Sequence, residues 1–445
     1  MTSGFAAFVT EQLPIHTFVE DIAKPWISLG RSAESPQAVA SARIVRSVGF
    51  AKRMMEEAEA RMFWPSGDAI CRGHVLDQFL LDQLQDVQSD SACELCGQLP
   101  TSYVNTDVIQ DLVVAVIREY RRRAIDELFH DPETQSGYAL PDEHIEDTSD
   151  VVNNLFAGAL DDYLLVYVGN NLEDDYWFTP GVLWLEGVEL YVQSWTDFRS
   201  LLRSADTQLD QLLAGELDAP GWTYEVADGI CPSQILPRLW ELMDELEVVK
   251  VIPASTIWLR AVHVPVGETI SATRIGTAPS DSSSENRMNR AGRPMFYGAA
   301  DTTTAATEIG RPRAGEETII GAWVLTRPAR VLDLVRNHEL PDFYDVEKAW
   351  LRWRLMFLAD FADDVSQPIS AHQLADYRAT QVFMDYLRSR VSGIDGIMYR
   401  SSRTGEQCCA LEVDNAHCID AATSREADDG QLRLTLDNWH SLGES

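Results

Sequence analysis

Apolar residues recur with helical spacing through the first half of the chain, and β-branched and aromatic runs take over in the second. Ser35-Pro36 offers an N-cap and a favourable first helical residue, and Ala38–Met62 (AVASARIVRSVGFAKRMMEEAEARM) is rich in helix formers. A second helix is expected over Asp107–Phe129, with Val108, Leu112, Ile117 and Ile125 as its apolar positions among charges. Further helical patterns fall near 150–168, 182–214 and 234–248.

The character changes near Val249. VVKVIPASTIWLRAVHV has the composition of strands, and a Ser/Thr/Gly/Pro-rich loop runs from Thr277 to Asn289. A strand PMFYGAA, a helix from about Thr302 and a strand ETIIGAWVL follow. A long helical region over 343–392 leads to two closing strands, GIDGIMYR and CCALEVD. The expected fold class is α+β: a mostly helical N-terminal region followed by an α+β domain.

Charge narrows the choice of partners. The chain has 445 residues, with 36 Lys+Arg against 70 Asp+Glu and a formal net charge of −34. Residues 131–180 hold twelve Asp/Glu and no Lys or Arg, which reads as a solvated acidic face or a docking surface for a basic partner. Such a surface repels phosphate backbones, so no nucleic-acid partner is expected. An anionic ligand would need a local basic pocket, which gives arginines in any site added weight. The helical HEPN nucleases carry R-x4-H on one helix, and no His here has an Arg five residues before it. No apolar run approaches the ~18 residues of a membrane span. The first basic residue is Lys24, so the charged opening of a signal peptide is absent and a cytoplasmic location with no membrane partner is expected. Seven cysteines, an odd number, argue against a complete disulfide framework.

Four of the chain's Cys and His residues have metal-ligand spacing. Cys71 and His74 form C-x2-H, Cys93 and Cys96 form C-x2-C, and eighteen residues separate the pairs. Each pair can offer two ligands from one tight turn, and Gly97 suits a knuckle turn. The expectation is a structural zinc; the alternative is ordinary buried thiols and an incidental histidine.

The segment 287-RMNRAGRPMFYGAADTTTAATEI-309 reads as a strand leading into a helix capped by Asp301 or Thr302. Tyr297 falls at the strand end and Glu308 in the second helical turn. Arg260 lies on the strand TIWLRAV, and Ser401 follows the strand GIDGIMYR. Arg, Tyr, Glu and Ser therefore come from separate elements of one α+β domain.

In that order they resemble the RES-domain family, named for an Arg, a Glu and a Ser. The resemblance rests on Arg260, Arg287-Met288-Asn289 with Gly292, Phe296-Tyr297, Thr304-Ala305-Ala306-Thr307-Glu308 and Asp395-Gly396-Ile397-Met398-Tyr399-Arg400-Ser401. It covers roughly 250–420. Residues 67–215, with C-x-x-C-G and Gly137-Tyr138, resemble the HEPN/RES-type helical domain often fused before RES domains. The chain departs from the family at Ala261, where many RES domains carry a Tyr.

The resemblance implies an ADP-ribosyltransferase-like fold and NAD as substrate. It implies cleavage of the nicotinamide–ribose bond by hydrolysis or phosphorolysis, in a toxin or defence effector. Glu308 would stabilise the oxocarbenium-like ribose. Arg260 and Arg287 would hold the pyrophosphate, because a guanidinium fork donates two charge-assisted hydrogen bonds. Tyr297 would stack on nicotinamide, Ser401 would donate to a phosphate or ribose, and Asn289 would join the NAD-binding set. Two alternatives stand: transfer of ADP-ribose to a protein from the same site, and a catalytically idle NAD-binding scaffold. An antitoxin or other regulatory partner is expected, and a homo-oligomer remains open. The expected divisions are 1–66 of unassigned role, 67–248 helical with the zinc knuckle, 249–424 catalytic, and 425–445 a tail.

Overall fold

Among the described residues of the first half, helix is the main regular structure, as the apolar periodicity predicts. The computed structural model describes residues 61–182, 187–204, 230, 234–367, 377–421 and 431–442. The helix expected over Ala38–Met62 lies outside them up to residue 60, as do residues 205–214 of the one expected over 182–214. Helices α1 (Gln78–Gln83), α2 (Thr106–Tyr120), α3 (Ala124–Glu127), α4 (Thr148–Phe156), α5 (Asp162–Asn171), α6 (Gly187–Ser204) and α7 (Ile235–Glu245) are joined by short strands that the sequence did not announce. β1 (Ala69–Cys71) pairs with β2 (Tyr103–Asn105), while β3 (Arg122–Arg123) and β4 (Ile145–Asp147) flank β5 (Tyr176–Phe178).

The second expected helix is shorter than its pattern. α2 ends at Tyr120, and Arg121 turns extended. The Arg121–Arg123 run is drawn out of helix by carboxylates on other elements: Arg121 pairs with Glu146 at 2.7 Å, and Arg123 pairs with Asp175. Its buried face is also different. Ile109, Val113, Val116, Ile117 and Tyr120 point inward, whereas Val108 and Ile125 are exposed. They pack against Val151, Val152 and Phe156 of α4 and Leu164 and Val168 of α5.

The second half builds one mixed sheet. Its strands are β6 (Val249–Ile252), β7 (Ile257–Pro265), β8 (Phe296–Ala299), β9 (Glu316–Leu325), β10 (Ala329–Asp333), β11 (Gly396–Arg400), β12 (Gln407–Leu411), β13 (Cys418–Asp420) and β14 (Leu434–Leu442). They lie in the order β13-β14-β9-β7-β8-β12-β11-β10-β6. All neighbours are antiparallel except β13–β14 and β10–β11. Among the described residues the α-helices are α8 (Ala272–Ile275), α9 (Thr302–Ile309), α10 (Ala349–Ser366) and α11 (Arg378–Arg390), and the helical region expected over 343–392 contains α10 and α11. The segment 425–445, expected as a tail, instead supplies β14, which runs beside β9 from Leu434 to Leu442.

One face of the sheet is covered by α6, α7, α10 and α11. Phe198, Leu239, Phe357, Phe361 and Phe383 share a core there with Ile397 and Ala410 of the strands. The division expected at 248/249 therefore runs through a common core, because Phe198 and Leu202 of α6 and Leu239 and Met243 of α7 belong to the same buried cluster as the strand residues. The other face packs Trp258, Phe296, Trp323 and Leu434. A second joint lies in the β10–α10 connection. Phe343 stacks on Tyr120 with ring centroids 4.3 Å apart, and Tyr344 stacks on Phe156 at 5.2 Å. Among the described residues, no helix is long and apolar enough to cross a membrane.

Candidate active site

Four of the predicted residues meet in one cleft of about 350 Å³ on the sheet. Arg260 of β7, Arg287 of the β7–β8 connection, Tyr297 of β8 and Glu308 of α9 all line it, with Ala261, Tyr377, Tyr399, Arg403 and Cys408. The central strand β8 can approach its neighbours here because residue 298 is glycine. A Cβ at Gly298 would lie 2.9 Å from the Phe296 ring and 3.0 Å from Trp258 Cβ.

Glu308 is held by two neighbouring elements. Asp301 caps α9 by accepting from Thr304 N–H at 2.8 Å, and Gly310 ends it with a φ of 75°. Glu308 thus falls in the last turn, where the helix dipole disfavours a carboxylate. Two groups from the β11–β12 turn offset this. The Ser401 hydroxyl donates to Glu308 Oε1 at 2.5 Å, and Arg403 Nη1 donates to the Thr307 carbonyl at 2.9 Å. Ser401 is itself only 2% exposed and does not line the cleft. Its hydroxyl instead reaches the Glu308 carboxylate behind the cleft wall.

Arg260 is bound to the frame by carbonyls. Its Nε donates to Gly276 O at 3.1 Å, its Nη1 donates to Tyr297 O at 3.0 Å, and its guanidinium lies 5.4 Å from the centre of the Phe296 ring. Burial pushes its pKa down, as expected for a cation removed from water. Arg287 lies over the Tyr399 ring at 5.5 Å. Among the described residues, neither Arg260 nor Arg287 forms an ion pair with a carboxylate. In a chain of net charge −34, two such cations in one cleft make a local positive patch.

Tyr297 links the strand to the loop that carries Arg287. Its hydroxyl donates to Asn289 Oδ1 at 2.7 Å and accepts from Met288 N–H at 3.1 Å. Burial raises the phenol pKa well above its usual value, so it stays protonated. Asn289 is 4% exposed and does not line the cleft. Its amide donates to the carbonyls of Ser284 and Arg290, both at 3.0 Å, and so braces the loop. From α11, Thr380 donates to Arg287 O at 2.7 Å and Gln381 to Asn286 O at 2.8 Å. Cys408 is a neutral thiol, its pKa raised to about 12 by burial and by the nearby Glu308 charge.

Sequence reasoning missed Arg403 and Tyr377 in the cleft, and Thr380 and Gln381 behind it; Tyr399 it placed in the motif without a role. Arg403 had a signal, lying two residues beyond Ser401 at the same strand end. Tyr377 brings an aromatic ring to a cleft whose wall carries Ala261.

Cys71, His74, Cys93 and Cys96 are not part of this cleft. Their donor atoms converge in the helical half, all within 4.8 Å of one another.

A larger cavity of about 540 Å³ lies between α2, α6 and α10, lined by Tyr120, Tyr191, Phe343, Trp350 and Trp353. Its wall also carries Arg121, Arg122, Arg354, Glu119 and Glu189, but no serine lines it.

Comparison with known proteins agrees with this division. The RES domain matches residues 258–437, and HEPN/RES N-terminal domain 1 matches residues 86–206. No curated protein matches the chain. One solved structure is similar: the MbcT–MbcA toxin–antitoxin complex of M. tuberculosis, at 11% identity over 46% of this chain and 91% of the other, with a TM-score of 0.28. The chain thus carries a RES domain over residues 258–437, preceded by a HEPN/RES N-terminal domain 1 over residues 86–206.

Proposed function

We propose that the protein consumes NAD by breaking the bond between nicotinamide and ribose. The observation that carries this reading is the cleft itself, where a Glu308 carboxylate fixed by Ser401 shares walls with Arg260 and Arg287, cations without carboxylate partners among the described residues. The RES domain that spans these residues supports it.

The chemistry needs these groups. As the glycosidic bond breaks, its electrons leave with nicotinamide, which departs neutral. Positive charge develops on the ribose, and a fixed carboxylate stabilises it without reorganisation. Arg260 and Arg287 hold the pyrophosphate, with Arg403 as a third cation at the cleft. The Tyr297, Tyr377 and Tyr399 rings supply surface for the nicotinamide and adenine planes. Water then gives ADP-ribose and a proton; inorganic phosphate gives ADP-ribose 1″-phosphate. In this account NAD is a substrate and not a resident cofactor. A cell that makes such an enzyme must restrain it, so an antitoxin-like partner belongs to the same reading.

The test is to incubate the full chain with NAD, with and without phosphate, and to identify the products. Free nicotinamide supports the reading, and the partner product separates hydrolysis from phosphorolysis. ADP-ribose attached to protein would assign a transferase. Binding of NAD without turnover would assign a scaffold.

A further inference from the structure

Outside the cleft, the most constrained cluster of chemical groups lies at the edge of the helical half. Cys71 ends β1, His74 closes the single turn after it, and Cys93 and Cys96 belong to the irregular segment between α1 and β2. Cys71 Sγ lies 3.4 Å from Cys96 Sγ, and Cys93 Sγ lies 3.4 Å from His74 Nε2. The first separation is far beyond the ~2.05 Å of a disulfide. A tetrahedron with Zn–S of about 2.3 Å and Zn–N of about 2.0 Å places its donor atoms roughly 3.5–3.8 Å apart. All four donors fall within 4.8 Å of one another. A two-iron cluster would set ligands of opposite irons farther apart than one ion does.

The surroundings are those of metal ligands. His74 Nδ1 faces Asp161 Oδ2 at 2.5 Å, which fixes the ring with Nε2 turned toward the cysteines. Asp161 uses its other oxygen to cap α5, accepting from Leu164 N–H at 2.9 Å. The Cys71 N–H donates to Cys93 Sγ at 3.3 Å. In the Cys93–Gly97 knuckle, Gly97 N–H donates to Cys93 O at 2.7 Å, and Gly97 has a φ of 70°. His74 and Cys93 are buried, at 5% and 1% exposure, while Cys71 and Cys96 are half-buried.

We propose that Cys71, His74, Cys93 and Cys96 bind one structural zinc ion, with Asp161 as the carboxylate that orients His74. Binding converts three thiols to thiolates, releases three protons and leaves a complex of charge −1. Four protein ligands close the coordination sphere, so no position remains for a reactive water. The ion ties β1, the irregular segment and α5 together. Its work is folding of the helical half, separate from the cleft.

The test uses the freshly purified full chain. Elemental analysis should find about one zinc per chain, released in step with titration of thiols by a mercurial. Replacement by Co²⁺ should give the intense visible bands of tetrahedral thiolate coordination. Cys96→Ser should lose the metal. Asp161→Asn leaves all four ligands in place, and its zinc affinity should fall about 10–100-fold. Because Asp161→Asn keeps the ligand set, it stays informative if Cys96→Ser fails to fold. A metal-free chain that is fully folded and takes up neither ion would overturn the proposal. So would iron in place of zinc, or unchanged zinc affinity in both variants.

Discussion

The Ser401 hydroxyl donates to Glu308 Oε1 at 2.5 Å, so two residues 93 positions apart in the chain form one unit. Ser401 is held in turn: its oxygen accepts from the N–H groups of Arg403 and Thr404, both at 3.2 Å. On the proposed reading, the serine is a positioning residue that acts through the carboxylate. Ser401→Ala should lower kcat roughly tenfold with KM for NAD little changed. In a Glu308→Gln background the same substitution should cost almost nothing further, since the group it positions has lost its charge. Additive losses in the double variant would assign Ser401 an independent contact with substrate.

Arg287 is the cleaner of the two phosphate candidates to remove. Arg260 also bonds two backbone carbonyls, and its loss would leave Gly276 O and Tyr297 O without those donors. Arg287→Ala should weaken NAD binding about tenfold, in line with about 1.4 kcal/mol for a charge-assisted hydrogen bond, with a smaller change in kcat. Calorimetric titration of NAD checks it. Unchanged affinity would move the pyrophosphate away from Arg287.

Tyr297→Phe separates the ring from its hydroxyl. The ring and its stacking surface remain, but the bonds to Asn289 and Met288 are lost. The expected result is destabilisation of about 1 kcal/mol per lost bond and faster amide exchange over 286–290. Exchange in that segment unchanged from wild type would show that α11, through Thr380 and Gln381, holds the loop without help.

Cys408 lines the cleft but is no nucleophile. A pKa near 12 leaves about 10⁻⁴ of it as thiolate at pH 8. Cys408→Ala should retain turnover within a few-fold, and alkylation of this thiol should stay slow from pH 7 to 9. Rapid, inactivating alkylation at pH 7 would contradict the environment described for it.

Much of the catalytic half is legible in the sequence because strands and motif residues coincide there. Arg260, Tyr297 and Glu308 each occupy an element whose local pattern is clear: a β-branched strand, an aromatic strand and a capped helix. The internal partners of Ser401 and Asn289 are not legible, because which neighbour a polar side chain meets depends on packing from distant chain positions. Gln381 and Thr380 illustrate this, lying more than ninety residues from the loop they hold. The RRR run at 121–123 keeps helical propensity but loses its helix to carboxylates on β4 and before β5. β14 is hidden because TLDNWHS lacks a strict alternation, and its ladder with β9 shifts register between Leu436 and Asn438.

The central claim is that Glu308 stabilises charge that develops only as the nicotinamide–ribose bond breaks. Glu308→Gln keeps the shape of the side chain and an acceptor for Ser401 while removing the negative charge. The decisive measurement takes nicotinamide release and the NAD dissociation constant together, for wild type and Glu308→Gln. The account predicts a fall in turnover of about 10²–10³ with NAD affinity changed by no more than a few-fold. Turnover equal to wild type in Glu308→Gln would contradict it.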